Sequence, residues 1–353
     1  MEHTAERLWG AWRGMRLEHF TFVMATGIVA TGVRNSGADL LSWILFWVAS
    51  AGYAVLVTGT LAGLAAGQWG LRREFSERAC RTMAFVAAGG VLSAYAAGRG
   101  WTVFALVLIV VSGVAWIAMQ YAVVGALVVR AGASRRPRDL TVFDGTWFLL
   151  VVSTQAMAVS LGAWSRAADC DLGATAAVLF WGLGVLQLVI VACLVADRLL
   201  RAGIKAGEEV SPYWVFLGSG AISILAAAEV LGTREEQIVM PQAVVGGVAM
   251  ALWAFVTWMI PLTVALQLWQ AGRPGAIRGY RAALWAMVFP IGMYGESTRQ
   301  LGFIRGDRWL TEVGRWESWI AFGVWTVVAL GLVLAVVRIA AERPARRPSP
   351  IRW

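Results

Sequence analysis

Charge is scarce in this chain, and histidine and cysteine are scarcer. Of 353 residues, 14% are charged and 59% are hydrophobic, whereas an ordinary soluble domain is about a quarter charged. With a mean hydropathy of +0.67, the composition is that of a polytopic α-helical membrane protein with no length left for a separate soluble domain. The two histidines are His3 and His19, and only His19 lies near an apolar segment. Bis-histidine haem ligation inside the bilayer is therefore excluded. Gly218-Ser219-Gly220 likewise lacks an intramembrane histidine to act as base, which argues against a serine protease. Cys80, Cys170 and Cys193 are odd in number and scattered, so neither a disulfide framework nor a zinc site is indicated. No catalytic group, metal or cofactor is expected, and a membrane enzyme is disfavoured. Residues 1–18 lack an apolar stretch followed by a cleavage site and read as a retained cytoplasmic segment. Residues 342–353 read as a basic cytoplasmic tail, leaving 19–341 as the membrane domain.

Basic residues are in excess, with a net charge of +9. In a soluble protein that would point to nucleic acid; in a membrane protein it reports orientation. Uncharged runs divide the chain into ten segments: His19–Val33, Leu40–Leu71, Thr82–Gly98, Gly100–Val129, Gly145–Ser165, Leu172–Ala196, Val210–Ala228, Gln237–Gly272, Ala282–Gly295 and Ser318–Val337. Odd segments are short and even ones long, except the tenth. Assigning Lys and Arg alternately to the two sides puts 22 of the 30 on the side of the termini, which the positive-inside rule makes the cytoplasm of a plasma or inner membrane. One loop departs from the pattern: Arg299, Arg305, Arg308 and Arg315 all fall outside. Asp144 reads as the N-cap of the fifth segment, and Ser211-Pro212 as an N-cap and first helical position for the seventh.

The short segments resemble one another. Phe22, Phe85, Phe148, Trp214 and Trp285 recur at a near-constant interval, and five positions after each stands Gly27, Gly90, Ser153, Ser219 or Pro290. A sequence that returns to the same pattern in this way implies a repeated structural unit, here a short helix followed by a long one. Five such hairpins closing on themselves would put the short helices inside and the long ones outside, with small or helix-bending residues at a shared depth along a central pathway. The tryptophans lie mostly near segment ends (Trp43, Trp69, Trp101, Trp147, Trp164, Trp214, Trp269 and Trp319) and read as the interfacial aromatic belt.

The ninth segment carries the most chemistry. Pro290 is expected to break it, and a broken, partly charged helix survives at membrane depth only when protein or a water-filled cavity surrounds it. Phe289, just before the proline, is placed either to close a pore as a hydrophobic constriction or to pack in the core. Glu229 and Glu296 lie near the outer ends of short helices. Glu296, with Arg299 three residues on, is either half of an ion pair or a protonatable group that would couple transport to protons. Arg34, Arg99, Arg166, Arg234 and Arg299 follow the five short segments and would form a cationic ring at the mouth, offset by acids in the same loops. Glu18 and His19 form either an interfacial pair or a pH-sensitive one.

Two runs resemble a known family. Phe22-Val23-Met24-Ala25-Thr26-Gly27-Ile28-Val29 is similar to the signature of the tellurite-resistance/C4-dicarboxylate transporter family. Phe289-Pro290-Ile291-Gly292-Met293-Tyr294 is similar to its pore-phenylalanine motif. That family includes TehA-like bacterial proteins, the plant guard-cell slow anion channel, and the fungal malate permease and sulfite efflux pump. The resemblance implies an all-α membrane protein of ten helices in pseudo-fivefold arrangement around a central pore. It also implies a homotrimer with one pore per subunit, and a gating role for Phe289. Expected substrates are C4-dicarboxylates such as malate or small inorganic anions, moved by a channel or by a proton-coupled carrier. Ala25 stands where many members have glycine, and only the ninth short segment has a mid-segment proline.

Overall fold

The computed structural model describes residues 19–65, 79–133, 143–204, 208–233, 240–273 and 279–341. Segments 1–18 and 342–353, Glu18 and Arg234 lie outside the described residues. Among the described residues the fold is entirely helical: α1 (Phe20–Asn35), α2 (Asp39–Ala65), α3 (Ala84–Ala97), α4 (Thr102–Ala133), α5 (Phe148–Ala168), α6 (Asp171–Ala202), α7 (Trp214–Leu231), α8 (Gln242–Ala271), α9 (Trp285–Arg305) and α10 (Arg308–Ala341). A short 3-10 turn precedes four of the odd helices, at Ala79–Met83, Gly145–Trp147, Ser211–Tyr213 and Ala282–Leu284. Asp144 caps the second of these, its Oδ1 accepting from the Thr146 backbone N–H at 2.9 Å. Ser211 does not cap: it lies inside the turn that follows Val210, and Pro212 supplies the helical start.

Two expectations need correction. The helix is not interrupted at Pro290, since α9 runs through it for 21 residues to Arg305. Nor is the tenth helix short: α10 begins at Arg308, not Ser318, and has 34 residues, so every even helix is long. Charge-free runs misplaced this boundary because the charges sit inside the helices, paired locally. Arg299 meets Glu296, Arg305 meets Asp307, and Arg315 meets Glu312. The turn between α9 and α10 is made by Gly306 in the left-handed region (φ 73°), where glycine carries no Cβ penalty.

Among the described residues, eight helices are long and apolar enough to cross a membrane; α1 and α9 are not among them. At 1.5 Å per residue, the 16 residues of α1 reach about 24 Å, short of a core about 30 Å thick. Burial separates the two sets. The best windows of α3, α5 and α7 are 83–89% buried, and those of α2, α4, α6, α8 and α10 only 11–33% buried. The contacts follow suit. α1 packs on α3, α3 on α5, α5 on α7, α7 on α9, and α9 on α1, while each even helix packs on the odd helix before it.

Glycine makes each odd–odd contact close. A Cβ on Gly27 would sit 2.8 Å from Val91 Cγ1, one on Gly90 2.9 Å from Ala156 O, and one on Gly162 2.9 Å from Glu229 Cβ. At Gly218 it would lie 2.9 Å from Pro290 Cγ, and at Gly292 3.1 Å from Ile28 Cγ2. Small residues let the backbones approach where apolar lipid gives helices little reason to associate.

Hydrogen bonds join each even helix to the odd helix that follows. Ser42 bonds Tyr95 (2.7 Å), Trp116 donates to Thr154 (2.9 Å), Trp181 to the Ser223 carbonyl (3.1 Å), Trp253 to Thr298 (3.0 Å), and Trp325 of α10 closes the order on Thr26 of α1 (3.0 Å). These four indoles are not part of a belt. An indole N–H inside a membrane protein needs a partner, and for each of them the partner is the next odd helix.

Candidate functional site

The odd helices carry the candidate site, which consists of two cavities at their opposite ends. At the C-terminal ends lies a cavity of about 200 Å³, bounded by Arg34 of α1, Tyr95 of α3, Arg166 of α5, Glu229 of α7, and Glu296 and Arg299 of α9. At the N-terminal ends a second cavity of about 250 Å³ is bounded by Thr21, Arg81, Thr146, Glu209 and Arg281. Each has room for several waters at about 30 Å³ apiece.

Between the two linings lies a stretch of each helix that borders neither cavity, and its depth repeats as a layer. The last residue lining the N-end cavity and the first lining the C-end cavity are Thr21 and Ile28 on α1, Leu149 and Ala156 on α5, Val215 and Ile222 on α7, and Ala286 and Met293 on α9. Each pair is seven residues apart, about 10 Å of helix. Phe289 lies in this layer and is fully buried. Gly218 makes room for it, because a Cβ there would stand 3.3 Å from Phe289 Cδ1. Phe289 is the large apolar side chain of α9 in a layer that also holds the buried polar side chains of Thr26, Ser153, Thr154, Gln155 and Ser219.

The C-end cavity is where the charges converge. Arg299 binds Glu296 through both carboxylate oxygens, at 2.8 and 3.1 Å. Asn35 of α1 adds a bond to the same carboxylate at 2.8 Å. Arg166 is ion-paired with Glu229 and donates to the Glu229 carbonyl at 2.8 Å, joining α5 to α7. Both glutamates are almost fully buried, and buried carboxylates persist when paired. Arg99 does not line the cavity; it pairs with Asp39 and lies over the Trp43 ring at 4.9 Å and the Tyr95 ring at 5.5 Å. Arg34 donates to the Gly98 carbonyl at 2.6 Å, 5.5 Å from the Tyr95 ring centroid.

The arginines therefore do not form a simple ring. Three of the four described ones meet a carboxylate, and Arg34 does not. The remaining sequence candidates are dispersed. Phe22 meets Trp285 edge-on at 4.9 Å, Phe85 meets Phe20 at 5.1 Å, and Phe148 stacks on Phe216 at 4.3 Å. These aromatics pack between helices at the N-terminal ends and line neither cavity. Ser153 bonds the Leu150 carbonyl and Ser219 the Phe216 carbonyl, each satisfied within its own helix. Gly27 and Pro290 are contact residues between odd helices. Gly90, Glu229, Glu296 and Arg299 do line the C-end cavity.

Sequence reasoning passed over the recurrent indoles. Trp116, Trp181, Trp253 and Trp325 return at nearly the interval of the short segments, a signal visible in the chain but submerged among 20 tryptophans. It also passed over Tyr95, which carries no charge to attract notice.

With this geometry in place, similarity to other proteins becomes informative. The family model described as SLAC1, voltage-dependent anion channel, matches residues 15–333. Two proteins of Mycobacterium tuberculosis, from different strains and both described as uncharacterized membrane proteins (Rv1735c and MT1776), are each 33% identical over 146 residues. That match covers 41% of this chain and 74% of each relative.

Proposed function

The chain belongs to the SLAC1 family of voltage-dependent anion channels, and on that premise we propose that it moves small anions through a central pore closed by Phe289. As a family member it is a membrane anion channel or transporter and not an enzyme. The finer reading takes the five helix pairs as a pseudo-fivefold arrangement with the pore along the axis of the odd helices. The observation that carries it is the pair of cavities at opposite ends of the same helices, parted by a layer seven residues deep in four of them. On this reading the route is blocked within a layer about 10 Å deep, and truncation of the large apolar side chain in it would open the gate. Phe289 is the large aromatic of α9 within that layer, and it abuts Gly218 on the neighbouring helix.

The substrate class we propose is C4-dicarboxylate such as malate, or small inorganic anions, held weakly enough to leave as readily as they arrive. By the positive-inside rule the C-end cavity faces outward from a plasma or inner membrane and both termini face the cytoplasm. The exposed apolar faces of the even helices suit lipid and, in a homotrimer, neighbouring subunits.

A second reading, proton-coupled carriage or efflux, has one observation in its favour: Glu229 and Glu296 are buried in the cavity wall. Each is committed to an arginine, so a proton arriving there has to break an ion pair. The channel reading needs no such step.

Flux in proteoliposomes separates the two. Chloride, nitrate, sulfite and malate are offered to the wild type and Phe289→Ala, with and without a proton gradient. The channel reading expects at least about tenfold more flux on truncation, indifferent to the gradient. Saturable malate movement that follows the gradient equally in both forms would replace it with the carrier.

A further inference from the structure

We propose that Arg34 is the anion-recruiting residue of the C-end cavity, accepting a small inorganic anion or one carboxylate of a dicarboxylate, while the other cavity arginines are withheld from that role by their glutamates. The inference rests on the anion reading above and assigns its site of first contact.

The internal repeat makes the argument. Arg34 on α1 and Arg166 on α5 perform the same task two repeats apart, each reaching to the C-terminal end of the next odd helix. Arg34 donates to the carbonyl of Gly98, the residue that closes α3, at 2.6 Å. Arg166 donates to the carbonyl of Glu229, in the last turn of α7 before the closing Gly232, at 2.8 Å. A helix C-terminus is the negative end of its dipole and favours a cation there. What differs is the residue three positions before the closing glycine. It is Glu229 in α7 (232 − 229 = 3) and Tyr95 in α3 (98 − 95 = 3).

Glu229 neutralises Arg166. Tyr95 instead presents its ring to Arg34, a cation–π contact 5.5 Å from guanidinium to centroid. Such a contact positions the cation without an ion pair, and the carboxylates that act on Arg34 from a distance, Asp39 and Glu296, are each paired with another arginine. The Tyr95 hydroxyl is engaged elsewhere, with Ser42 at 2.7 Å and Arg99 at 3.2 Å. The cavity wall thus holds three arginines, Arg34, Arg166 and Arg299, against two glutamates, Glu229 and Glu296. Arg166 and Arg299 are paired, so the remaining positive charge belongs to Arg34.

Guanidinium has five N–H donors, and the Gly98 carbonyl occupies only part of the fork. Thr31 and Asn35, on the same face of α1, bring further polar groups to the cavity. A cation outside any ion pair, in a low-dielectric cavity wall, concentrates anions there, and a single such charge binds weakly enough to release them.

The test measures chloride and malate flux against anion concentration in full-length protein, both wild type and in the Phe289→Ala background. Tyr95→Glu copies the Glu229 arrangement onto Arg34 and is expected to raise the half-saturating concentration about tenfold. Tyr95→Gln, of the same size without the charge, is expected to leave it within about twofold. Arg34→Gln should match Tyr95→Glu, and Arg34→Lys should restore most of the loss because it keeps the charge. Indistinguishable curves for Tyr95→Glu and Tyr95→Gln, or wild-type saturation in Arg34→Gln, would overturn the assignment while leaving the anion pathway intact. Absence of any anion flux in every form, with each eluting as folded protein, would overturn the anion reading itself and the inference with it.

Discussion

The two cavities lie at opposite ends of the odd helices and are lined by arginine at both ends, yet they differ in what those arginines face. In the N-end cavity Arg281 meets Glu209 at 3.1 Å and Arg81 meets Asp144 at 3.7 Å. In the C-end cavity two arginines meet glutamates and Arg34 meets an aromatic ring. Counting basic residues by side would make the N-terminal side the positive one. Pairing reverses that at the scale of the mouths, because a partnered guanidinium exerts little net field a few ångströms away. On the proposal above, the potential an anion meets at the C-end mouth is set by Arg34, the arginine of the described cavity wall that meets no carboxylate.

This comparison can be inverted by substitution. The largest effect is expected from combining Tyr95→Glu with Glu209→Gln, which pairs Arg34 and frees Arg281. Half-saturation measured from the C-end face should rise about tenfold, and that from the N-end face should fall about threefold. Glu209→Gln alone should give only the second change. Glu229→Gln sharpens the comparison differently by freeing Arg166 beside Arg34. Anion affinity at the C-end face should improve about threefold, and detergent-solubilised protein should melt earlier, because a nearly buried partner has been removed from an α5–α7 tie.

The smallest effect concerns the frame behind both cavities. Trp181→Phe deletes one indole donor to the Ser223 carbonyl and should cost about 0.5–1.5 kcal/mol of stability with transport unchanged. A transport defect there would mean that the even helices do more than support the odd ones.

Much of the fold was legible in the chain because bilayer chemistry is restrictive. Uncharged runs had to be helices, and their alternation in length anticipated the difference in burial between odd and even helices. The failures have a common cause. The boundary between α9 and α10 was misplaced because Arg299, Arg305, Arg308 and Arg315 were read as loop charges, whereas ion pairs and cavity walls let helices carry them. The arginine series was visible, but not its sorting. The i, i+3 spacing foretold the pairing of Glu296 with Arg299, whereas Arg166 and Glu229 stand a full repeat apart and meet only through the packing of α5 on α7. Phe22, Phe85 and Phe148 stand near the starts of successive odd helices, and their rings face neighbouring helices. A repeat in the sequence locates equivalent depths, but not the direction in which a side chain points.

The central claim is that a side chain in α9 closes a layer between two open cavities, and a volume series at position 289 tests it most directly. Nitrate and malate flux is measured for Phe289→Ala, Phe289→Leu, wild type and Phe289→Trp in the same vesicles, each at matched protein content. The account predicts flux falling in that order, with Ala at least about tenfold above wild type and Trp at or below it. Flux that ignores side-chain volume in a folded series would contradict it and move the closure to another residue of the layer.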